Sequence, residues 1–365
     1  MMKKKNTRVV IALSGGVDSS TAAALLKKEG YEVIGISLKL WDADFYSAAK
    51  GGSCCSLDDL SDARRAASML KIPFYVLNME KEFKESVINY FVNEYLNGHT
   101  PNPCIPCNKI LKFDHLIKRA QELGADYVAT GHYAKKVKGT EGKYFVKRGK
   151  DTSKDQSYFL FNLSQEQFKY ILFPLGDYLK EEVRSIARSL NLNVAEKNES
   201  QEICFIPDNN YQAFIKKEKG SKFVKKGDIV DSDGRILGEH KGIPFYTIGQ
   251  RKGLNISHSA PLYVKKIDSV NNQIVVGSKE EVKSRKFSIN NVNWSIPPDE
   301  EKRIRGMVQI RYRHKAAPAT IFIENPEEPE IEFDESQEAI TPGQAAVIYK
   351  DDIVLGGGWI KGVLS

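Results

Sequence analysis

Residues 9–28 read VVIALSGGVDSSTAAALLKK: an apolar run, a Gly pair flanked by hydroxyl and carboxyl side chains, then an Ala/Leu stretch closed by two lysines. That order predicts a buried strand, a tight turn and a helix. Gly15 and Gly16 lack a Cβ and can take positive φ, so consecutive backbone N–H groups can converge on an anion, and the helix start adds further unpaired N–H groups. Ser14, Ser19 and Ser20 supply hydroxyl donors, and Asp18 is placed to hold Mg²⁺ or to cap the helix. The loop is not a Walker A motif, because no GxxxxGK[ST] is present and no Lys directly follows the glycines. A plain Ser-Gly-Gly turn is the bland alternative.

Working outward, short β-branched runs alternate with helical stretches as far as residue 130. Strands are expected at 9–13, 32–38, 74–78 and 127–130, and helices at 21–29, 59–70, 83–96 and 113–123. Such alternation means an α/β domain with a parallel sheet covered on both faces. The 14–20 loop then lies at the carboxyl end of the first strand, where open α/β sheets bind ligands. A hairpin is expected around residues 144–146, and further helices near 165–172 and 179–190. The βα rhythm ends near residues 200–210. Beyond it, 264–276 with Asn271-Asn272 reads as a hairpin and 304–313 and 345–355 as strands, so the last hundred residues form a small β-barrel or sandwich.

At 365 residues, with 41% hydrophobic and 28% charged positions, two or three soluble domains are expected. No apolar run approaches a membrane span of roughly 18 residues, and MMKKKN makes a poor signal peptide, so a cytoplasmic location is expected. Five cysteines, an odd number in a large chain without an export signal, argue against a disulfide framework. Reactive thiols or metal ligands are the better reading. The net charge of +7 is modest, but its basic residues cluster. Residues 135–154 carry eight Lys or Arg, and further clusters fall at 216–226 and 302–315. Clustered cations suit a phosphate backbone, and Arg311-Tyr312-Arg313 adds an aromatic for base stacking.

Three loops carry candidate chemistry. In HTPNPCIPCNKILKF (99–113) three prolines stiffen a loop holding Cys104 and Cys107, with Lys109 and Lys112 nearby to favour a thiolate. A surface CxxC without a role, or half of a zinc site, is the alternative. Cys204, between Ile203 and Phe205, reads by itself as a buried small hydrophobe. Cys54 and Cys55 read as inert. ATGHYA (129–134) places Gly131 and His132 at a strand end, where a glycine lets a nucleobase or sugar lie close and His132 could donate to phosphate or ribose; a structural histidine is the equal alternative.

The loop spelling resembles the pyrophosphate (PP) loop of ATP pyrophosphatases, which split ATP to AMP and pyrophosphate. The chain as a whole resembles the tRNA-specific 2-thiouridylases, through ALSGGVDSS, TPNPCIPCNKILKF, LGADYVATGHYA, KDQSYFL, LFPLGDYLK, ICFI, GEHKGIPFYTIGQRKGL, RYRHK, TPGQAAV and LGGGWI in order. The resemblance implies an adenine-nucleotide alpha-hydrolase-like PP-loop domain (1–205), a small central tRNA-contacting domain (206–280) and a C-terminal β-barrel (281–365). It implies an ATP site at Ala12, Leu13, Ser14, Gly15, Gly16, Val17, Asp18 and Ser19, with Leu38 and Gly131, and Mg²⁺ alongside. It implies tRNA contacts at Asn102, Pro103, Cys104, His132, Lys154, Asp155, Gln156, Arg311, Tyr312 and Gln344. Cys107 becomes the first catalytic thiol and Cys204 the carrier of persulfide sulfur, reversing the reading of Cys204 alone, with a Cys107–Cys204 disulfide left after transfer. The sulfur would come from a cysteine desulfurase, a sulfur-relay protein or sulfide.

Many family members carry Asp where this chain has Cys104. Cys104, Cys107 and Cys204 could therefore form a three-thiolate set for a [4Fe–4S] cluster, as in related tRNA thiolases. Competing readings are a 4-thiouridine synthase or amidating ligase, which would share the loop without needing both Cys107 and Cys204, and an RNA-binding module with a vestigial loop.

Overall fold

The structure, a computed structural model, describes residues 7–41, 57–139, 142–198, 203–206, 210–220, 224–296 and 302–364. Cys54 and Cys55 lie outside the described residues. The chain divides into two compact units, one holding 1–87, 104–209 and 352–354, the other 88–103, 210–351 and 355–365.

In the first unit, β1 (Arg8–Ala12), β2 (Glu32–Lys39), β3 (Phe74–Asn78), β4 (Tyr127–Ala129) and β7 (Ile171–Leu172) form a parallel sheet in the order β3-β2-β1-β4-β7. β1 is central because its side chains are apolar on both faces: Val9, Val10 and Ile11 are fully buried. The expected helix over 165–172 stops earlier, at Lys169, and residues 171–172 instead add the edge strand beside β4.

Helix α1 (Val17–Lys28) follows the loop, and its Ala22, Ala23 and Leu26 pack on Val9 and Ile11. Small residues let it lie close to the sheet. Helix α2 (Leu57–Met69) precedes β3, and a helical run follows it as α3 (Glu80–Phe83), a π-helical stretch Lys84–Ile88 and α4 (Asn89–Leu96). The helix expected from 113 begins earlier, as α5 (Cys104–Pro106), a π-helical stretch Cys107–His115 and α6 (Leu116–Glu122). π-helical turns are rare and gather at functional sites. Strands β5 (Ala134–Lys138) and β6 (Tyr144–Arg148) form the expected hairpin, and α7 (Gln165–Lys169) opens with a capping box from Ser164. Helix α8 (Lys180–Ser189) packs against α1.

In the second unit, β8 (Gly227–Val230), β9 (Ile236–His240), β10 (Tyr263–Asp268) and β11 (Gln273–Gly277) form a sheet in the order β10-β11-β8-β9, over a core that includes Phe245, Val264 and Ile274. Asn272 takes φ +53 at the expected β10–β11 turn. Strands β12 (Lys283–Trp294), β13 (Arg303–Gln309), β14 (Ala317–Phe322), β15 (Glu330–Glu338), β16 (Ala345–Lys350) and β17 (Ile353–Val363) run in the order β12-β15-β14-β13-β16-β17. β12 also pairs with β17, which closes a six-stranded barrel and decides between barrel and sandwich. The strand expected over 304–313 ends at Gln309, so Arg311 to His314 form a turn.

Candidate active site

The end of β1 is fixed before the loop begins. Leu13 N–H still bonds the Ile36 carbonyl at 2.8 Å, and the Ser37 hydroxyl donates to the Leu13 carbonyl. Leu13 and Val17 are core residues, so of the predicted nucleotide contacts these two can offer only backbone; Ser14 is exposed and Ala12, Gly16, Asp18 and Leu38 are half-buried. Gly15 takes φ +72, and a Cβ there would stand 2.1 Å from the Asp59 carbonyl oxygen. Only glycine meets both conditions. Gly16 is the N-cap of α1, with extended backbone and no side-chain cap, so the first N–H groups of the helix are left to a ligand. Ser19 closes the loop from inside: Ser14 N–H donates to its hydroxyl at 3.1 Å, and that hydroxyl lies 3.2 Å from the Gly16 carbonyl it donates to.

The cation missing after the glycines arrives from elsewhere in the chain. Lys180 Nζ lies 2.7 and 2.8 Å from the two carboxylate oxygens of Asp18, and the Tyr133 hydroxyl donates to the same carboxylate at 2.7 Å. Lys180 is the first residue of α8, where the helix dipole disfavours a positive charge. That misplacement in sequence was the signal for it. A second lysine, Lys197, reaches Asp59 and Asp62 at 2.6 Å each and the Gly15 carbonyl at 3.1 Å. Neither lysine, nor Tyr133 or Asp59, was singled out from sequence, because each is distant in the chain from the loop it serves.

A Cβ at Gly131 would stand 2.8 Å from the Ser19 backbone nitrogen, in the first turn of α1, so the close approach of this strand end to the helix requires glycine. His132 is 7% exposed, its Nδ1 2.7 Å from the Thr130 hydroxyl and its ring 6.1 and 6.2 Å from Phe113 and Phe173. Burial, and then the Lys112 charge, hold it well below the usual histidine range, so the ring is neutral. The ring is enclosed, with Nδ1 paired to Thr130.

The predicted tRNA-contacting run 154–156 divides in the same way. Asp155 is buried, and its carboxylate accepts from Arg148, the Gly149 N–H, and both the N–H and hydroxyl of Ser157. With its oxygens engaged inside the fold, it ties residues 148–149 to residue 157. Gln156 exchanges two bonds with the backbone of Tyr133, accepting at 3.0 Å through its side chain and donating at 2.9 Å from its N–H. Lys154 is half-buried.

Cys107 is buried and Cys104 and Cys204 are half-buried. Phe205, next to Cys204, meets Phe83 of α3 edge to face at 5.5 Å, and α3 also packs against the π-helical stretch that Cys107 begins. Both cysteine-bearing segments thus meet one helical turn. Lys109, expected to favour a thiolate, directs its ammonium to Asn162 at 3.3 Å. Among the described residues no three His, Cys, Asp or Glu side chains stand where they could hold one metal ion.

In the second unit, the Arg311–His314 turn is held from below: Gln309 donates to the carbonyls of Arg311 and Tyr312 at 3.3 and 2.7 Å, and the His314 ring lies 3.0 Å from the Gln337 side chain. Arg311 and Tyr312 remain half-exposed. Gln344 donates to the Thr100 carbonyl at 2.7 Å, and Thr100 N–H to the Pro342 carbonyl at 2.9 Å. The turn at 341–344 thereby anchors the stretch that leads to Asn102 and Pro103. Among the described residues no helix is long and apolar enough to cross a membrane.

A parallel sheet with an uncapped Gly-Gly loop between its central strand and first helix defines a nucleotide-binding α/β domain, and family models agree. Residues 7–208 match a "tRNA methyl transferase HUP domain", 212–278 a "tRNA methyl transferase PRC-barrel domain" and 284–360 an "Aminomethyltransferase beta-barrel domain". Among curated proteins, the chain is 52% identical to a tRNA-specific 2-thiouridylase of Geotalea uraniireducens, covering 98% of this chain and 96% of that one. Its identity to relatives of the same description is 49% in Geobacter metallireducens, over all of both chains, and 50% in Clostridium acetobutylicum, over 98% of this chain and all of that one. The chain belongs to the tRNA-specific 2-thiouridylase family.

Proposed function

We propose that the protein converts the wobble uridine of tRNA anticodons to 2-thiouridine, using ATP and releasing AMP and pyrophosphate. The observation that carries this reading is identity near one half to 2-thiouridylases over the whole length of the chain. The C2 carbonyl of uridine is unreactive because its oxygen leaves poorly. Attack of that oxygen on the α-phosphate of ATP expels pyrophosphate and makes AMP the leaving group. The N–H groups of residues 15–18 and the Lys180 ammonium would stabilise the departing pyrophosphate. Mg²⁺ would neutralise phosphate charge; Asp18 offers it one carboxylate, which fits an ion carried mostly by phosphates and water.

Cys204 would carry a persulfide whose terminal sulfur attacks C2. The Cys107 thiolate then attacks Cys204 Sγ, forms the Cys107–Cys204 bond, breaks the persulfide bond and leaves the outer sulfur on C2 as AMP departs. A dithiol reductant returns both thiols, and a cysteine desulfurase or relay protein renews the persulfide. Asn102, Pro103, Lys154, Gln156, Arg311 and Tyr312 would contact tRNA, and the base would be splayed out of its stack, as base chemistry requires.

Incubating unmodified tRNA with the protein, Mg-ATP and a persulfide donor, followed by nucleoside mass spectrometry, tests the reading. 2-Thiouridine in step with AMP release is expected. 4-Thiouridine, or AMP release without any thionucleoside, would contradict it.

A further inference from the structure

We infer that Lys197 is a positioning residue of the nucleotide loop: its grip on the Gly15 carbonyl turns the Gly16 N–H toward the bound phosphate. This rests on the loop's role proposed above.

Lys197 acts on the peptide that joins Gly15 to Gly16. A trans peptide points its C=O and its N–H in opposite directions. This one is flanked by glycine on both sides, so it can rotate between two orientations with little steric resistance. In one the Gly16 N–H faces the anion; in the other the Gly15 oxygen does, and repels it. Lys197 Nζ, 3.1 Å from that oxygen, draws the oxygen to its own side and leaves the N–H on the other. A nest of N–H groups binds phosphate only when its members point the same way.

The grip is itself held in place. Asp59 and Asp62 fix the ammonium at 2.6 Å each, and the Asp59 carbonyl occupies the space where Gly15 would carry a side chain. Arg184 bonds the carbonyls of Ala195 and Lys197 at 2.6 and 3.0 Å, fixing the backbone that carries the lysine. Burial works against the Lys197 charge, but its bonds to Asp59 and Asp62 outweigh that and raise its pKa above the ordinary lysine value. Lys180 and Arg184 lie one turn apart on the same face of α8. The helix therefore addresses the loop twice, through Lys180 on Asp18 and through Arg184 and Lys197 on Gly15.

Steady-state kinetics of Lys197→Met, Lys197→Gln and wild type test this, with tRNA saturating and ATP varied. Losing a charge-assisted bond to the carbonyl is expected to raise the KM for ATP about tenfold or more in Lys197→Met, with little change in the KM for tRNA. Lys197→Gln keeps a donor for the carbonyl but no charge for Asp59 and Asp62; its Tm is expected to fall while its KM for ATP stays within about threefold of wild type. A merely structural ion pair predicts lower Tm and unchanged KM for ATP in both, which would overturn the inference. If Lys197→Met does not fold, wild-type protein with ¹⁵N-glycine decides: pyrophosphate is expected to shift the Gly16 amide resonance downfield, and an unmoved resonance overturns the inference. Wild type that releases no AMP with tRNA would remove the underlying reading as well; an active wild type with an unchanged Lys197→Met removes this inference alone.

Discussion

Lys180 and Asp18, 162 positions apart, form a two-pronged ion pair at 2.7 and 2.8 Å beside the Gly-Gly loop. The lysine side chain is 9% exposed and the aspartate side chain 31%, so the pair is asymmetric: the cation is inside and the anion at the mouth. An ATP phosphate reaching the loop meets a cation whose charge is already balanced. Binding then exchanges one anion for another, or adds Mg²⁺ to Asp18, without first burying a charge.

Lys180→Met is therefore expected to keep its fold and lose roughly ten- to a hundredfold in kcat/KM for ATP, the scale of a lost charged hydrogen bond. Asp18→Asn leaves the buried ammonium without its partner charge and is expected to lower Tm more than Lys180→Met does. Pyrophosphate release and thermal melting check the pair. Equal Tm losses would contradict the asymmetry.

Glycine substitutions separate conformation from space. Gly15→Ala meets both a φ of +72 and the Asp59 carbonyl 2.1 Å from its Cβ, so it is expected to destabilise severely and abolish ATP use. Gly30→Ala has φ +90 but nothing within 4 Å, and is expected to cost only about 1 kcal/mol, the strain of a left-handed residue. Denaturant unfolding of both variants gives the comparison.

Acid sensitivity should trace partly to His132. Its folded pKa is depressed by burial and by Lys112, so the unfolded state binds the extra proton first, below the ordinary histidine value of about 6.5. Stability is then independent of this group above that pH and falls as the pH drops below it. His314 is lowered as well, by burial, and acts in the same direction. Melting at pH 7 and pH 5 is expected to show a drop of a few degrees that shrinks in His132→Phe. An unchanged drop would assign the acid loss elsewhere.

At the barrel, Arg311→Ala is expected to weaken tRNA binding and reduce the slope of log affinity against log salt by about one, as one lost phosphate contact does. Titrations at several salt concentrations measure the slope. An unchanged slope would mean that the guanidinium, which also donates to the Glu338 carbonyl, serves only the turn.

The parallel sheet was legible because residues 9–13 form an unbroken apolar run that only Ser14 separates from two glycines, a pattern tied to local backbone chemistry. The closed barrel was less so: short strands broken by Gly and Asn suit a sandwich equally, and closure rests on the β12–β17 pairing across more than sixty residues. The loop itself could be read, but not its supports. Lys180 and Lys197 act at a distance in sequence, and nothing local to Lys197 marks it. For His132 and Asp155 the motif was legible and the enclosure was not. Polar residues in suggestive motifs turned out to be satisfied inside the fold, because a periodicity argument cannot say whether a histidine at a strand end will be enclosed by Phe113 and Phe173.

In the proposed reaction Cys204 delivers the sulfur and Cys107 releases it. One anaerobic turnover by persulfide-loaded protein, with tRNA and Mg-ATP but no reductant, followed by peptide mass spectrometry, tests it most directly. One 2-thiouridine per chain and a disulfide joining the peptides that hold Cys107 and Cys204 are expected, with negligible iron in the protein. 2-Thiouridine formed while both thiols stay reduced would contradict it.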